Sequence, residues 1–277
     1  MDAVVIENVT YKYPGSREYA VENINLTVRE GEFLVITGPS GGGKSTICRL
    51  MNGLIPHFYG GEFKGRVLVY GADTRESSVN ELSRIVGVVF QNPENQVVNM
   101  TVEEEVAFGL ENLGLPDEEI ERRLEHALGI MGIKELRRRA THELSSGELQ
   151  KVALASVIAM KPKILVLDEP TANMDPSSAR SFLHRVRELW IEGYIKTVVL
   201  VEHRLSWVLD KASRLVLVDG KIVADGEPRE LVASGVLAEH GVEEPPVSVL
   251  ARILGLGKTP LNVDEALEVF ESWRRGL

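Results

Sequence analysis

A glycine-rich loop between two apolar segments constrains this chain more than any other feature of its sequence. Residues 38–46 read Gly-Pro-Ser-Gly-Gly-Gly-Lys-Ser-Thr, which fits the spacing G-x-x-x-x-G-K-[ST]. The apolar run 33–37 before the loop predicts a buried strand, and residues 47–51 after it predict a helix. A strand, a glycine-rich turn and a helix in this order make a cradle for phosphate groups, because backbone N–H groups point into the turn. The loop therefore predicts a nucleoside triphosphate site.

The residue types of this loop suit different parts of a nucleotide. Its glycines let the backbone curl so that several N–H groups face one anion. Lys44 supplies a positive charge for the β- and γ-phosphates, and the Ser45 hydroxyl supplies a hard oxygen for Mg²⁺. The residues expected to bind the nucleotide here are Gly38, Ser40, Gly41, Gly42, Gly43, Lys44, Ser45 and Thr46. The alternative is a glycine-rich turn with an incidental lysine, which the flanking strand and helix disfavour.

The composition narrows the possible functions. A formal net charge of -10 disfavours a protein that grips nucleic acid along its backbone, because that requires basic patches. The single cysteine, Cys48, excludes an internal disulfide, and its position after the loop favours a small buried side chain. No run approaches the ~18 apolar residues of a membrane-spanning helix. Any role at a membrane is therefore expected to come through a partner.

Together with the phosphate loop, the hydrophobic pattern predicts an α/β fold of the P-loop NTPase (RecA-like) class with a parallel core sheet. The runs 164–167 and 197–201 are continuously apolar and each is followed by acidic residues, as in strands that are covered on both faces. The segments 3–13 and 24–28 predict strands near the N-terminus, in a small antiparallel β subdomain. Asp219-Gly220, between two apolar runs, predicts a hairpin.

A helical region is expected to interrupt the core sheet. Apolar residues recur there at helical spacing, namely at Ile120, Leu124, Leu128 and Met131. We expect a helical insertion at about 97–160, inside a nucleotide-binding domain that spans residues 1–236. Residues 237–277 are expected to form a C-terminal extension, in which Asn262 and Glu265 form a capping pair at the start of a helix.

Two carboxylates directly follow the apolar run 164–167. Asp168 and Glu169 stand where the second half of a triphosphate-hydrolysing site is expected. A carboxylate at a strand end can hold Mg²⁺ through water, and the next one can polarise an attacking water. Alone this is a weak signal, because many strands end in acidic residues. Together with the phosphate loop it indicates hydrolysis of the triphosphate.

Five further stretches follow the motif order of the ATP-binding-cassette (ABC) family. Residues 144–148, Leu-Ser-Ser-Gly-Glu, resemble its signature, which is usually written Leu-Ser-Gly-Gly-Gln. Four more residues resemble the Q-loop glutamine, the D-loop aspartate, the switch histidine and the aromatic that stacks on adenine; they are Gln91, Asp175, His203 and Tyr13. The resemblance covers roughly residues 3–231. It implies an ATPase with ATP and Mg²⁺ as its ligands.

The resemblance implies that two cassettes pair head to tail and that the signature of one covers ATP on the loop of the other. The residues implied to act across the pair are Ser145, Ser146, Gly147, Glu148 and Asp175. Glu169 is implied as the general base, and His203 as the residue that bonds the γ-phosphate and orients the water. Gln91, the third implied catalytic residue, reaches Mg²⁺, which Ser45 and Asp168 also hold.

Several of these residues also have an ordinary structural interpretation. Tyr11 competes with Tyr13 for the position beside adenine. Gln91 can be a loop cap, His203 a satisfied histidine at a strand end, and Asp175 the cap of the helix that follows it. The order of the motifs favours the functional interpretation of Gln91.

The chain departs from the family pattern at three positions. Ser146 replaces the usual glycine, at a cost on the order of 1 kcal/mol if the backbone there needs a positive φ. Glu148 replaces glutamine, and Glu202 precedes the switch histidine where Ser or Thr is common. Such departures suit one half of an asymmetric pair, in which one of the two ATP sites is degenerate.

The stretch 89–96, Val-Phe-Gln-Asn-Pro-Glu-Asn-Gln, resembles the extended Q-loop of energy-coupling-factor (ECF) importers and of their cobalt and nickel relatives. That resemblance implies a peripheral ATPase subunit on the cytoplasmic face of the cell membrane, paired with a second ABC ATPase subunit. The pair would dock on a transmembrane coupling subunit, which works with a substrate-binding membrane protein for vitamins or metal ions.

A second function class stays open from the sequence. A soluble ABC ATPase in an assembly or remodelling complex, as in iron–sulfur assembly, would carry the same ATP motifs. A DNA-repair cassette is disfavoured because no heptad run predicts long coiled coils. A P-loop GTPase is disfavoured because nothing resembles a guanine-reading Asn-Lys-x-Asp.

Overall fold

The computed structural model describes the backbone of residues 1–276 and the side chains of residues 1–274. Within that range the strands form two sheets. The strands are β1 (Asp2–Lys12), β2 (Val21–Arg29), β3 (Phe33–Thr37), β4 (Glu62–Val69), β5 (Ala72–Asp73), β6 (Val86–Val89), β7 (Ile164–Asp168), β8 (Thr197–Val201), β9 (Arg214–Asp219) and β10 (Lys221–Gly226).

The helices lie before, between and after these strands. They are α1 (Lys44–Met51), α2 (Leu54–His57), α3 (Val79–Ser83), α4 (Val102–Asn112), α5 (Asp117–Met131), α6 (Ser146–Ala159), α7 (Pro176–Ile191), α8 (Pro228–Ser234), α9 (Val236–Glu239), α10 (Pro246–Ile253) and α11 (Val263–Gly276). Short 3₁₀ turns lie at Pro93–Asn95, Lys134–Leu136, Thr141–Glu143, Leu205–Trp207 and Leu209–Lys211. None of the helices in residues 1–276 is long and apolar enough to cross a membrane.

The larger sheet has the strand order β10-β9-β3-β8-β7-β6, and β9 through β6 pair in parallel. Every residue of β3, β7 and β8 is buried. Phe33 and Val35 of β3 pack in one apolar cluster, with residues of α4 to α7, while Leu34 and Ile36 pack in a second cluster on the opposite face. Burial on both faces explains the continuous apolar runs. The predicted parallel core sheet is confirmed.

The smaller sheet has the order β2-β1-β4-β5, and its strands are antiparallel throughout. Buried residues of β1, β2 and β4 join those of α1 in the second apolar cluster. This sheet is the antiparallel subdomain that the N-terminal strand pattern predicts. It lies over one face of the larger sheet, because its buried residues share a cluster with those of β3. It also flanks the phosphate loop, since Gly43 packs against Ala20 and Val21 at the start of β2.

Three helices, α4, α5 and α6, lie between β6 and β7. The predicted spacing on α5 is correct for Leu124, Leu128 and Met131, which are buried, while Ile120 is only partly buried. Thr101 begins α4 with a capping box, in which its hydroxyl accepts from the N–H of Glu104. Helix α6 starts earlier than its apolar run suggests, so it includes most of the signature residues.

The C-terminal residues are more helical than the sequence pattern indicates. It predicts α11, whose cap Asn262 accepts from the Glu265 N–H at 2.8 Å, but it does not predict α8, α9 or α10. These helices are short, and two of them begin next to proline. Val242 and Leu261 join the first apolar cluster of the main fold. The domain boundary at residue 236 therefore stays a prediction, because residues on both sides of it pack in the same apolar cluster.

Candidate nucleotide site

The phosphate loop, the two carboxylates and the switch histidine follow three neighbouring strands. β3 pairs with β8, and β8 pairs with β7, so that Ile36 lies beside Val201 and Val201 beside Asp168. Because the three strands are parallel, their carboxyl ends meet at one edge of the sheet. The order of the strands thus brings together residues that are far apart in the chain.

The glycines of the loop adopt backbone conformations that other residues avoid. Gly38 and Gly43 have φ angles of 149° and 95°. A Cβ at Gly38 would collide with the Val218 carbonyl oxygen, and one at Gly43 would lie 2.6 Å from the Ala20 carbonyl oxygen. Ser40 and Gly41 are exposed at the tip of the loop, while Gly42 is buried. The N-terminus of α1 carries no side-chain cap among the described residues, so its first N–H groups can bind a phosphate.

Lys44 lies across the loop, and its side chain is 4% exposed. Its Nζ donates to the carbonyl oxygens of Gly38 and Pro39 at 2.9 and 2.8 Å, and lies 3.7 Å from Oε1 of Glu169. Burial lowers the pKa of Lys44, against the nearby carboxylates of Glu169 and Asp168, which raise it. A γ-phosphate would offer this ammonium group a stronger acceptor than two carbonyl oxygens do.

Ser45 and Asp168 form a pair of oxygen donors beside the loop. The Ser45 hydroxyl donates to Oδ1 of Asp168 at 3.1 Å, and Asp168 is buried. Burial raises the pKa of Asp168, although the hydrogen bond from Ser45 lowers it. Across residues 1–276 no group of three or more His, Cys, Asp or Glu side chains could hold a metal alone. The pair therefore suits Mg²⁺, which takes few protein oxygens together with phosphate oxygens and water.

Glu169 receives hydrogen bonds from two other segments. Its Oε1 lies 2.8 Å from Nε2 of His203, and its Oε2 accepts from Nε2 of Gln91 at 3.0 Å. The bond from His203 is the main cause that lowers the pKa of Glu169, so the carboxylate is ionised. Glu169 also has a positive φ of 47°, a conformation that costs energy outside glycine and is held by its N–H bond to the Val201 carbonyl oxygen. An ionised, oriented carboxylate of this kind can act as a general base.

The two N-terminal tyrosines differ sharply in accessibility. Tyr11 is fully buried and its hydroxyl donates to the Gly60 carbonyl oxygen at 2.8 Å, so its ring cannot receive a base. Burial raises the pKa of Tyr11 to about 12. Tyr13 is partly exposed, and its hydroxyl lies 3.2 Å from Oγ1 of Thr46 in the phosphate loop. Tyr13 is therefore the better placed of the two for adenine.

The signature residues lie next to Asp175 and apart from the phosphate loop. Ser145 and Glu148 form a capping box, in which the Glu148 carboxylate accepts from the Ser145 N–H at 2.8 Å and the Ser145 hydroxyl accepts from the Glu148 N–H at 3.3 Å. The Ser146 hydroxyl donates to the Asn173 carbonyl oxygen at 2.8 Å. Gly147 follows in the first turn of α6, where a Cβ would meet Met174 and Ser178 at 3.7 Å. No hydrogen bond within residues 1–276 joins this group to the phosphate loop of the same chain.

These contacts answer two questions that the sequence raises about Asp175 and Ser146. Asp175 does cap α7, since its Oδ1 accepts from the N–H groups of Ser177 and Ser178 at 2.9 and 3.1 Å. Ser146 is the first helical residue of α6 and needs no positive φ. The strain considered for a serine at this position is therefore absent, and the serine instead ties the signature to the loop before α7.

The sequence reasoning misses several residues that hold the site in place. Glu202 is 3% exposed and accepts from the Thr171 hydroxyl at 2.5 Å, and from the N–H groups of His203 and Arg204. Gln96 accepts from the Phe90 N–H at 2.9 Å and so closes the loop that carries Gln91. Glu202 departs from the family pattern in the sequence, and its charge directly after an apolar strand is the signal that indicates this anchoring role.

Comparisons with known proteins agree with this geometry. A family profile described as "ABC transporter" matches residues 21–172. The chain belongs to the ABC transporter family. The cassette is 51% identical to a putative ABC transporter ATP-binding protein of Pyrococcus abyssi over 232 residues, which are 83% of this chain and 82% of that protein. It is 45% identical to one of Methanosarcina acetivorans over 269 residues, which are 96% of this chain and 42% of that protein.

Solved structures of ABC cassettes have the same fold. The structure of cbiO1 from Clostridium perfringens, described as part of the ABC transporter complex cbiONQ, has a TM-score of 0.74 and 32% identity and covers 86% of this chain and 94% of its own. A dimeric cassette, MJ0796, was solved in a post-hydrolysis state bound to ADP and Pi. It has a TM-score of 0.70 and 28% identity, and the match covers 82% of this chain and 99% of that one. The predicted α/β fold is confirmed, and the cassette is an ATP-binding ATPase.

Proposed function

We propose that this cassette is the ATP-hydrolysing subunit of an ECF-type membrane importer for vitamins or transition-metal ions, on the cytoplasmic face of the membrane. The observation that carries the ATPase part is Glu169, held between His203 and Gln91 beside the phosphate loop. The importer part is supported by the extended loop 89–96 and by the likeness to cbiO1 of the cbiONQ complex.

The chemistry follows from the residues around Glu169. ATP would bind with its phosphates on the loop of residues 38–46 and its adenine against Tyr13. Ser45, Asp168 and Gln91 would hold Mg²⁺, which neutralises phosphate charge when bound. Lys44 then stabilises charge on the phosphates, while Glu169 orients and deprotonates the attacking water. His203 would pass from Glu169 to the γ-phosphate.

Pairing with a second cassette would complete the site. Among the side chains that the structure describes, the signature residues make no hydrogen bond to the phosphate loop of the same chain, which supports action on a partner's ATP. The residues that would contact that ATP or the partner are Ser145, Ser146, Gly147, Glu148 and Asp175. The dimeric neighbour bound to ADP and Pi supports such pairing. The partner cassette would be either a second copy of this chain or a different ABC ATPase subunit.

A groove beside the Q-loop is the proposed docking site for the transmembrane coupling subunit. It has a volume of about 510 Å³ and is lined by residues of α3, α4 and α6 together with Gln96. Phe108, on α4, lines it and is 46% exposed. Glu105 also lines it and accepts from the N–H groups of Val98 and Asn99, both at 3.0 Å, so the groove is tied to the chain that continues from Gln96. A short partner helix seated here would sense the position of Gln91.

The hydrolysis proposal is tested with Glu169→Gln. The variant should bind ATP normally but lose turnover by about 10²–10⁴-fold, because the amide cannot take a proton from water. It should also form a stable ATP-bound dimer in size-exclusion chromatography. Glu118→Gln, at an exposed position on α5, is the matched control and should behave as the wild type. Turnover that survives in Glu169→Gln would exclude this residue as the base.

The importer proposal is tested by purifying the cassette from detergent-solubilised membranes of its host. Wild type and Ile191→Asp, which alters an apolar residue that is 59% exposed and outside the groove, should retain an integral membrane subunit. Phe108→Asp should lose that subunit while it still binds ATP. A set of purely soluble partners would contradict the importer and favour the assembly-type ATPase. Equal capture by both variants would overturn the docking groove.

A further inference from the structure

Tyr13 belongs to a cluster that none of the family motifs describes. Arg49 lies on α1, one turn after the phosphate loop, and its Nη1 donates to the Tyr13 hydroxyl oxygen at 2.7 Å. The Arg49 guanidinium also lies over the ring of Tyr59, with its carbon 4.8 Å from the ring centroid. Since Thr46 lies 3.2 Å from the same hydroxyl, α1 holds the phenol at two points.

Aromatic contacts orient the Tyr13 ring as well. Tyr11 and Tyr59 meet it edge to face, with ring centroids at 4.8 and 5.8 Å. Tyr11 is itself fixed through its hydroxyl, which donates to the Gly60 carbonyl oxygen. The Tyr13 ring, directly after β1, is therefore positioned by groups from α1, from β1 and from the segment before β4.

Arg49 is poorly explained as a stabilising residue. Its Nε is buried and has no hydrogen-bond partner within the described residues, which costs stability. No carboxylate of residues 1–274 lies within ion-pair distance of its guanidinium group. What the side chain does provide is one charged hydrogen bond to Tyr13 and a stacking contact with Tyr59.

We propose that Arg49 is a positioning residue for base recognition, which together with Tyr59 holds the Tyr13 ring in the orientation that receives adenine. This inference rests on the proposed role of Tyr13 and adds the group through which that role is set. A partly exposed tyrosine at a strand end would otherwise be ordered only on binding, and that ordering weakens affinity by about 2- to 10-fold. Arg49 removes this cost before ATP arrives.

The test compares two ligands that differ in the base. Isothermal titration calorimetry measures Kd for Mg-ATP and for Mg-tripolyphosphate, which has no base, with wild type, Arg49→Met, Tyr13→Phe and the double variant. Arg49→Met should weaken ATP about 3- to 10-fold and leave tripolyphosphate unchanged. The double variant should lose no more than the larger single effect, because both changes break the same hydrogen bond. Arg49→Lys should recover part of the loss, and Arg84→Met, at an exposed position, should have no effect.

Each contrary result has a separate meaning. Equal loss of ATP and tripolyphosphate in Arg49→Met would show that Arg49 acts on the phosphates, and would overturn the inference. Unchanged ATP affinity in Arg49→Met would also overturn the inference. Tyr13→Ala tests the underlying assignment, since it should weaken ATP but not tripolyphosphate. If Tyr13→Ala leaves ATP affinity intact, the adenine role of Tyr13 fails; if only Arg49→Met is silent, the inference about Arg49 fails alone.

Discussion

Replacing the buried Glu202 with alanine should destabilise the fold and slow ATP turnover together. Glu202 belongs to none of the motifs. Its carboxylate nevertheless connects the turn that contains Glu169 to the turn that contains His203. One oxygen accepts from the Thr171 hydroxyl at 2.5 Å, and the other accepts from the N–H groups of His203 and Arg204 at 2.8 and 3.0 Å. Thr171 is fully buried, and Glu202 is 3% exposed.

The magnitude follows from the three donors. The bond from Thr171 is buried, and the two from the N–H groups are part-buried. A fully buried donor left without an acceptor costs about 1–3 kcal/mol, so roughly 9 kcal/mol is an upper limit for the three. The space left by the side chain is large enough to admit water, which would satisfy part of the set. We expect a loss of about 3 kcal/mol in the free energy of unfolding for Glu202→Ala. Glu202→Gln should cost about 1 kcal/mol. Its amide oxygen can still accept hydrogen bonds from both N–H groups, and its amide NH₂ can donate to the Thr171 hydroxyl oxygen.

Urea unfolding followed by circular dichroism measures the first effect. Steady-state ATP hydrolysis measures the second: kcat of Glu202→Ala should fall about 10-fold or more, since the turns that place Glu169 and His203 lose their common anchor. The Kd for ATP should change little, because the phosphate loop follows a different strand. Measurements on Glu202→Gln provide the matched control with nearly the same shape.

Two results would refute this reasoning. If Glu202→Ala unfolds within about 0.5 kcal/mol of the wild type, the three donors do not depend on the carboxylate. If Glu202→Gln is as unstable as Glu202→Ala, the satisfied donors are not what stabilises the turns.

Two further predictions concern the loop and the signature. Lys44→Ala should weaken ATP and tripolyphosphate alike by about 10- to 100-fold, because it removes a charged donor to the phosphates; calorimetry that finds unchanged affinity would count against the loop. Ser146→Gly should lower the unfolding free energy by about 0.5–1 kcal/mol, since Ser146 has helical backbone and donates to the Asn173 carbonyl oxygen. Thermal or urea unfolding decides it, with Ser146→Ala as the control that removes the hydroxyl alone, and a more stable glycine variant would contradict the helical geometry.

The local motifs predict which residue types form the candidate site, but they do not predict which of these residues contact one another. The pattern of residues 38–46 predicts the turn before α1, and the apolar runs predict β3, β7 and β8. It does not predict that Gln91 and His203 meet Glu169 across 78 and 34 residues of chain. Those contacts depend on which strands are neighbours, and no local pattern states that order.

Weak local signals account for the elements that are missed. α8 to α10 are short, and their apolar residues bury against a core made by distant segments, so their own periodicity carries little information. The capping box of Ser78 and Glu81 at α3 is a local helix signal that the sequence carries, although no helix is predicted there. Ser146 is the opposite case, because the family pattern suggests strain while the helix start removes it.

The sequence by itself determined the chemistry that this cassette can perform. The glycine spacing, the lysine, the two carboxylates and the order of the motifs along the chain are all properties of the sequence, so they can be identified without a structure. The tertiary structure decided how these groups are held: Glu202 anchors two turns, and Arg49 fixes Tyr13 through contacts between separate segments. The physical reason is that a buried polar side chain must find its partners wherever the sheet order places them, and that order arises from packing of the whole chain.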